Sequence, residues 1–347
     1  MDDIRSDYFF IPFPYISKST FNMFKKCKYL FKRRVLDGYV PEPNAKMKLG
    51  TALHYLYYKF FDLIDADVLW GMDWQSNHDT IYSMVYNYFY TLIINEIDAQ
   101  NSNNIYLISN IKAFCRMEEN HWFALRNQFT NRRQIFYYFK QSDRTLERFL
   151  RNDQLKIFGT IDRIVHEPDM TLVMDYKTGK VPVGMEREKR TGLYTSSLPS
   201  YYVPEGTFYS ILYLGFMGYT FGKDGDIWHI YKDGIECDKD AIKKLNFAFV
   251  FTGGYGSWPN YYVGRKKVSI VSVRSVLSTL ETIRGWTNWI REPNYYKCRI
   301  CPLFLLECEG AVPDEISRNI RRSEDTPPED IHYMGIRQTG SGTVVEK

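Results

Sequence analysis

GTIDRIVHEPDMTLVMDYKTG, residues 159–179, alternates apolar and polar side chains on either side of the segment Glu167-Pro168-Asp169-Met170. Period-two alternation interrupted by turn residues reads as strand, turn, strand. A hairpin centred between Pro168 and Asp169 pairs residues whose numbers sum to 337, so Asp162 faces Asp175. Lys177 falls on the same face, two residues beyond Asp175. Directly opposed side chains have Cβ atoms about 4.5–5.5 Å apart. Two carboxylates ~5 Å apart repel by roughly 3 kcal/mol at an effective dielectric of ~20. The apolar neighbours Ile161, Ile164, Val173 and Met174 make this a central hairpin, where water relieves little of that repulsion. A divalent cation turns the repulsion into attraction, because hard cations take carboxylate oxygens. The competing reading is a salt-bridged hairpin in which Lys177 and Arg163 neutralise the acids.

Outward from the hairpin the period changes. Residues 49–65 carry Leu53, Leu56, Phe60 and Ile64 at helical spacing, with His54, Tyr58 and Phe61 on an adjacent face. Residues 15–36 read as one helix: Ser17 or Ser19 caps it, and Phe21, Phe24, Cys27/Lys28 and Phe31 follow at helical spacing. Residues 66–150 read as mostly helical, and 178–203 as an irregular, mobile loop. Pro204 opens a helix of about 15 residues, with Glu205 and Tyr209 one turn apart on one face. Short strands are expected near Ile227–Tyr231 and Val268–Val271, and a helix near Ser275–Ile290. The polar tail beyond Glu309 reads as disordered.

Composition bounds the function. The 347 residues, 44% hydrophobic and 17% aromatic, bury a sizeable core and exclude wholesale disorder. The uncharged run from Gly206 to Gly222 is broken by glycines and falls short of the ~20 apolar residues that a membrane span needs. With acids at its N-terminus instead of a basic leader, the chain is expected to be cytoplasmic, with no membrane partner. Net charge is only +4, but seven basic residues and no acid lie between Tyr8 and Leu36. A basic, aromatic-studded stretch suits a phosphate backbone, although it also describes a solvated helix face.

Together these residues resemble the PD-(D/E)xK nucleases, RecB branch. Gly159-Thr160-Ile161-Asp162-Arg163 and Asp175-Tyr176-Lys177-Thr178-Gly179 look like the core motif. Gly50-Thr51-Ala52-Leu53-His54 resembles the branch's GxxxH motif, and Glu205-Gly206-Thr207-Phe208-Tyr209 its QxxxY motif, with Glu in place of Gln. The resemblance implies an α/β fold, a restriction-endonuclease-like mixed sheet flanked by helices, and metal-dependent hydrolysis of DNA phosphodiesters. His54, Asp162 and Asp175 would hold Mg²⁺ or Mn²⁺ with the backbone carbonyl of Tyr176. Lys177 would orient the attacking water, and Glu205 and Tyr209 would line the site. A divalent cation acidifies water and stabilises the attacking and leaving oxygens of an in-line displacement. One imidazole among oxygen donors makes Mn²⁺ at least as good a fit as Mg²⁺.

Of six cysteines, Cys298, Cys301 and Cys308 form C-x2-C-x6-C, and Cys27 lies in ISKSTFNMFKKCKYLF, residues 16–31. These four resemble the [4Fe-4S] ligands of the iron–sulfur subset of RecB-type nucleases, found in CRISPR adaptation and in helicase–nuclease repair complexes. Zinc is the alternative for four thiolates, but zinc sites usually draw on two C-x2-C knuckles. By a disulfide-type chain-entropy estimate, a cluster closing a loop of about 270 residues is worth on the order of 5 kcal/mol. Cys115 and Cys237 read as ordinary residues.

The expected organisation is an N-terminal segment 1–48 with the basic helix and first cluster cysteine, a His-motif helix 49–65, and a helical insertion 66–150. A nuclease core 151–290, a C-terminal cluster-binding segment 291–310 and a tail 311–347 follow. The expected activity is exonuclease on DNA ends or single strands, with a helicase or other DNA-processing subunit as partner. The alternative is a nuclease-fold protein that binds DNA or a partner without cutting.

Overall fold

Alternation over residues 157–180 produces two eleven-residue strands, and the rest of a mixed sheet assembles on them. The computed structural model describes residues 15–41, 45–72, 78–97, 104–140, 146–167, 169–180, 196–238, 242–253, 261–292, 298 and 301–308. The expected tail, most of the 178–203 loop and the apex residue Pro168 lie outside the described residues.

In chain order the strands are β1 (Ile16–Ser17), β2 (Leu146–Asn152), β3 (Ile157–Glu167), β4 (Met170–Lys180), β5 (Ser196–Ser197), β6 (Tyr219–Asp224), β7 (Ile227–Lys232), β8 (Ile235–Glu236), β9 (Leu245–Gly253) and β10 (Tyr262–Lys267). The helices are α1 (Lys18–Lys26), α2 (Lys28–Phe31), α3 (Ala45–Leu63), α4 (Ala66–Gly71), α5 (His78–Ile94), α6 (Ile105–Gln128), α7 (Arg132–Lys140), α8 (Val203–Phe216) and α9 (Ile270–Gly285). Two compact units divide the chain. One comprises Pro14–Lys18 and Glu42–Arg284; the other comprises Met1–Phe13, Ser19–Pro41 and Gly285–Lys347.

In the first unit the described strands form a mixed sheet of order β1-β3-β4-β9-β10-β5, with β2 also paired to β3. The hairpin β3–β4 is antiparallel, β9 lies parallel to β4, and β10 returns antiparallel. One face, with Val165, Leu172, Met174, Tyr176, Ala248 and Val250, packs into the core made by α3 to α7. The opposite face is covered by α8, where Gly206 lies so close that an added Cβ would sit 2.1 Å from the Phe247 ring. β6, β7 and β8 form a separate antiparallel sheet.

The hairpin register is as expected: Arg163 pairs with Met174 and Glu167 with Met170, each pair summing to 337. Other expectations need correcting. β9 is central, yet its apolar run, buried along nearly its whole length, offers no alternation to read. Residues 146–150 belong to β2 and not to the helical stretch. The strand expected at Val268–Val271 ends at Lys267, and the following helix runs Ile270–Gly285 instead of Ser275–Ile290.

In the second unit the helix expected over 15–36 is interrupted at Cys27, whose backbone is extended (φ −163°, ψ 121°). Around it, Phe24 packs edge-on against Trp286, and Phe31 stacks on Trp289 at 5.6 Å. The Arg33 guanidinium donates to both carboxylate oxygens of Glu307. Among the described residues no helix is long and apolar enough to cross a membrane.

Candidate active site

Asp162 stands where the sheet opens. The other edge of β3 from β2 is shared between β1, which pairs with Ile157 and Phe158, and β4, which joins only from Arg163 onward. Asp162 and Asp175, the next pair in the register, lie just beyond that ladder. There the backbone N–H of Tyr176 donates to Asp162 Oδ2 at 2.6 Å. On the β2 side, the pairs Leu146–Arg163 and Arg148–Ile161 leave Glu147 opposite Asp162. Glu147 has a left-handed backbone (φ +44°), which interrupts the ladder at that position. Three adjacent strands therefore carry three carboxylates side by side.

The imidazole comes from α3. Its Gly50 brings helix and strand together: an added Cβ would stand 3.4 Å from Thr178 Oγ1. Tyr57 anchors the same helix by donating to Thr252 Oγ1 at 2.9 Å and stacking on Phe114. His54 Nδ1 thereby reaches within 3.4 Å of Asp162 Oδ1 and 3.8 Å of Glu147 Oε1. The ligand atoms of His54, Glu147 and Asp162 all lie within 4.8 Å of one another.

Beside this trio is a ring of two carboxylates and two ammonium groups. Lys177 Nζ is 2.5 Å from Asp175 Oδ2 and 2.7 Å from Glu205 Oε1. Lys18 Nζ is 2.8 Å from the same Glu205 oxygen and 3.6 Å from Asp175 Oδ1. Glu205 is delivered by the first turn of α8, and Tyr209 follows one turn later with its ring centroid 5.3 Å from Lys18 Nζ. Lys18, His54, Asp162, Asp175, Lys177 and Tyr209 all line one open cavity of ≈ 370 Å³, together with Tyr176.

The electrostatics follow from burial and neighbours. Burial pushes Asp162 up, and repulsion from Asp175 adds to it, giving about 6. Burial also opposes a charge on His54, but the Asp162 and Glu147 carboxylates outweigh it and raise the imidazole to about 10. Burial would raise Asp175 too; Lys177 and Lys18 overcome it and hold this carboxyl below its ordinary value. Lys177 is pushed up because Asp175 and Glu205 outweigh its desolvation. The site thus holds a proton on His54 where its acids call for positive charge.

A family profile for the PD-(D/E)XK nuclease superfamily matches residues 15–203, more than half of the chain. The chain belongs to this superfamily. No curated protein and no solved structure matches it. Members of the superfamily are usually metal-dependent nucleases, and the donor chemistry fits a hard divalent cation: clustered carboxylates with one imidazole. His54, Asp162, Asp175, Tyr176, Lys177, Glu205 and Tyr209 meet in this region, whereas Arg163 pairs with Glu118 instead of with the site's acids. Two more, Glu147 and Lys18, were missed. Glu147 lies in a stretch with no strand signature of its own, and Lys18 was one basic residue among seven.

The second unit holds a different cluster. Cys27, Cys298, Cys301 and Cys308 line a single cavity with Leu30, Leu303 and Phe304. The C-x2-C turn is closed by Cys301 N–H donating to the Cys298 carbonyl at 2.9 Å. Burial raises the thiols of Cys301 and Cys308. Cys115 is fully buried in α6, apart from this cavity.

Proposed function

We propose that this protein is a RecB-type, metal-dependent deoxyribonuclease that hydrolyses DNA phosphodiester bonds, acting as an exonuclease on ends or single strands. The observation that carries the reading is the convergence of His54, Asp162, Asp175 and Lys177 on one open cavity. A module that only bound DNA would have no need of all four. In this reading His54, Glu147, Asp162, Asp175 and the Tyr176 carbonyl hold one or two Mg²⁺ or Mn²⁺ ions. The bound cation supplies acidified water and charge neutralisation at the phosphate. Lys177 orients the water and stabilises phosphate charge, while Glu205 sets the Lys177 ammonium and Tyr209 walls the cavity.

We further assign a structural [4Fe-4S] cluster to Cys27, Cys298, Cys301 and Cys308. Four thiols on one apolar cavity fit it. The single C-x2-C knuckle, with Cys27 and Cys308 standing singly in the chain, favours iron–sulfur over zinc, whose sites usually draw on two such knuckles. A helicase or another DNA-processing subunit is the partner class this reading carries.

The test is incubation of end-labelled single- and double-stranded DNA with Mn²⁺ or Mg²⁺, comparing wild type with Asp175→Ala and Lys177→Ala. Wild type is expected to cut, and both variants to bind DNA without cutting. Equal cutting by all three would defeat the assignment. Binding without cutting by wild type would instead favour the DNA-binding reading.

A further inference from the structure

The proposed active site departs from its relatives' motif at one position: Glu205 stands where the QxxxY pattern has an amide. An amide is neutral and both donates and accepts, whereas a carboxylate is charged and only accepts. Replacing one by the other beside two metal-binding aspartates adds a negative charge to a site already crowded with them. Glu205 nevertheless lies within 2.8 Å of a second ammonium group, Lys18. β1 delivers that lysine. Ile16 and Ser17 pair in parallel with Ile157 and Phe158 on the same strand that carries Asp162, and Lys18 is the next residue of the chain.

We propose that Lys18 and Glu205 act as a charge-compensated pair that takes the place of the neutral amide, with Lys18 as a positioning residue for Glu205 and, through it, for Lys177. The proposal rests on the nuclease reading above. The charge count supports it. With His54 neutral, as an imidazole must be to bind a metal, Glu147, Asp162, Asp175 and Glu205 carry four negative charges and Lys18 and Lys177 two positive ones, leaving the two that one divalent cation neutralises. Removing Lys18 and Glu205 together leaves the same two, so the pair is electrically silent as a unit and disruptive when split. Its geometry explains why both lysines are needed. They meet the same Glu205 oxygen, Lys177 at 2.7 Å and Lys18 at 2.8 Å, so without Lys18 the whole Glu205 charge falls on Lys177 and draws it from the phosphate.

The test is a double-mutant cycle on the full chain, with two readouts: Mn²⁺ affinity by calorimetry and DNA cleavage. Lys18→Met leaves an extra negative charge and is expected to bind Mn²⁺ about tenfold more tightly. The same variant is expected to cut about tenfold more slowly or worse, as losses of supporting partners do. Glu205→Gln alone should weaken Mn²⁺ binding by about the same factor. The double variant K18M/E205Q should return Mn²⁺ affinity to the wild-type value and recover most of the cleavage lost in K18M. Lys18→Arg, which keeps the charge, should stay close to wild type in both readouts and stands in if K18M fails to fold. Unchanged affinity and cleavage in K18M would overturn the pair, as would a double variant no better than K18M. If the wild type cuts no DNA, the nuclease reading falls while the Mn²⁺ series still decides the pair.

Discussion

The backbone N–H of Tyr176 donates to the Asp162 carboxylate at 2.6 Å, one step beyond the last paired residues of β3 and β4. A ladder that continued would have spent that N–H on a backbone carbonyl. Because the strands part there, it aims the acid into the cavity, and Asp175 and Lys177 follow on the separated strand.

The pH response of the metal-free protein follows from His54 and Asp162. His54 is raised from 6.5 to about 10, so its contribution to stability is full below 6.5 and lost as pH rises through about 10. Asp162 is raised from 3.8 to about 6, so its contribution is full below 3.8 and lost as pH rises through about 6. Asp175 is lowered and has the opposite sign, acting only below its ordinary value. We predict that melting temperature in chelator falls between pH 5 and pH 9 more steeply in wild type than in His54→Gln. Added Mn²⁺ should displace the His54 proton, seen as proton uptake by buffer in calorimetry at pH 8. Binding with no proton release would contradict this account.

Glu147 holds a left-handed backbone that only glycine adopts without strain. Glu147→Gly is therefore expected to be more stable than Glu147→Ala by about 1 kcal/mol in urea unfolding. Both variants should bind Mn²⁺ about tenfold less tightly than wild type. Equal stability of the two would mean that the backbone at 147 relaxes once its side chain is gone.

Next to Asp162, Arg163 is almost wholly buried and donates to Glu118 of α6 at 2.7 Å, with its guanidinium 4.3 Å from the Phe61 ring centroid. Glu118→Ala removes that cation's carboxylate, leaving only the Phe139 carbonyl and His121 beside it, and is expected to cost about 3–5 kcal/mol. The double variant Glu118→Leu/Arg163→Met should recover much of the loss, because two apolar side chains carry no desolvation penalty. Thermal unfolding of the three variants decides it.

If the cysteine assignment holds, anaerobically purified wild type is brown and carries about four irons per chain. Cys27→Ser and Cys301→Ser should lose iron and colour, while Cys115→Ser keeps both. Colourless wild-type protein with one tightly held zinc would transfer the site to the other metal.

Much of the site was legible because it is local. The hairpin register follows from one turn and a period of two, which fixed Asp162 against Asp175 and set Lys177 on the same face. Glu205 and Tyr209 share a face because they are four residues apart in a helix opened by Pro204. The two missed residues are not local in this sense. Glu147 reaches Asp162 through pairing of β2 with β3, and Lys18 reaches Glu205 through pairing of β1 with β3; neither segment announces a partner. The break at Cys27 was hidden for a related reason. Its neighbours have helical spacing on both sides, so the sequence pattern runs through the residue whose backbone is extended.

By itself, then, the order of residues determined which groups could do chemistry and which of them share a strand face or a helical turn, since backbone periodicity acts over a few residues. Tertiary structure decided how far each carboxylate stands from an imidazole or an ammonium group, and so which acid keeps its proton and which cation is shared. Those distances depend on strand partners distant in the chain, and electrostatic energy changes steeply over the last few ångströms.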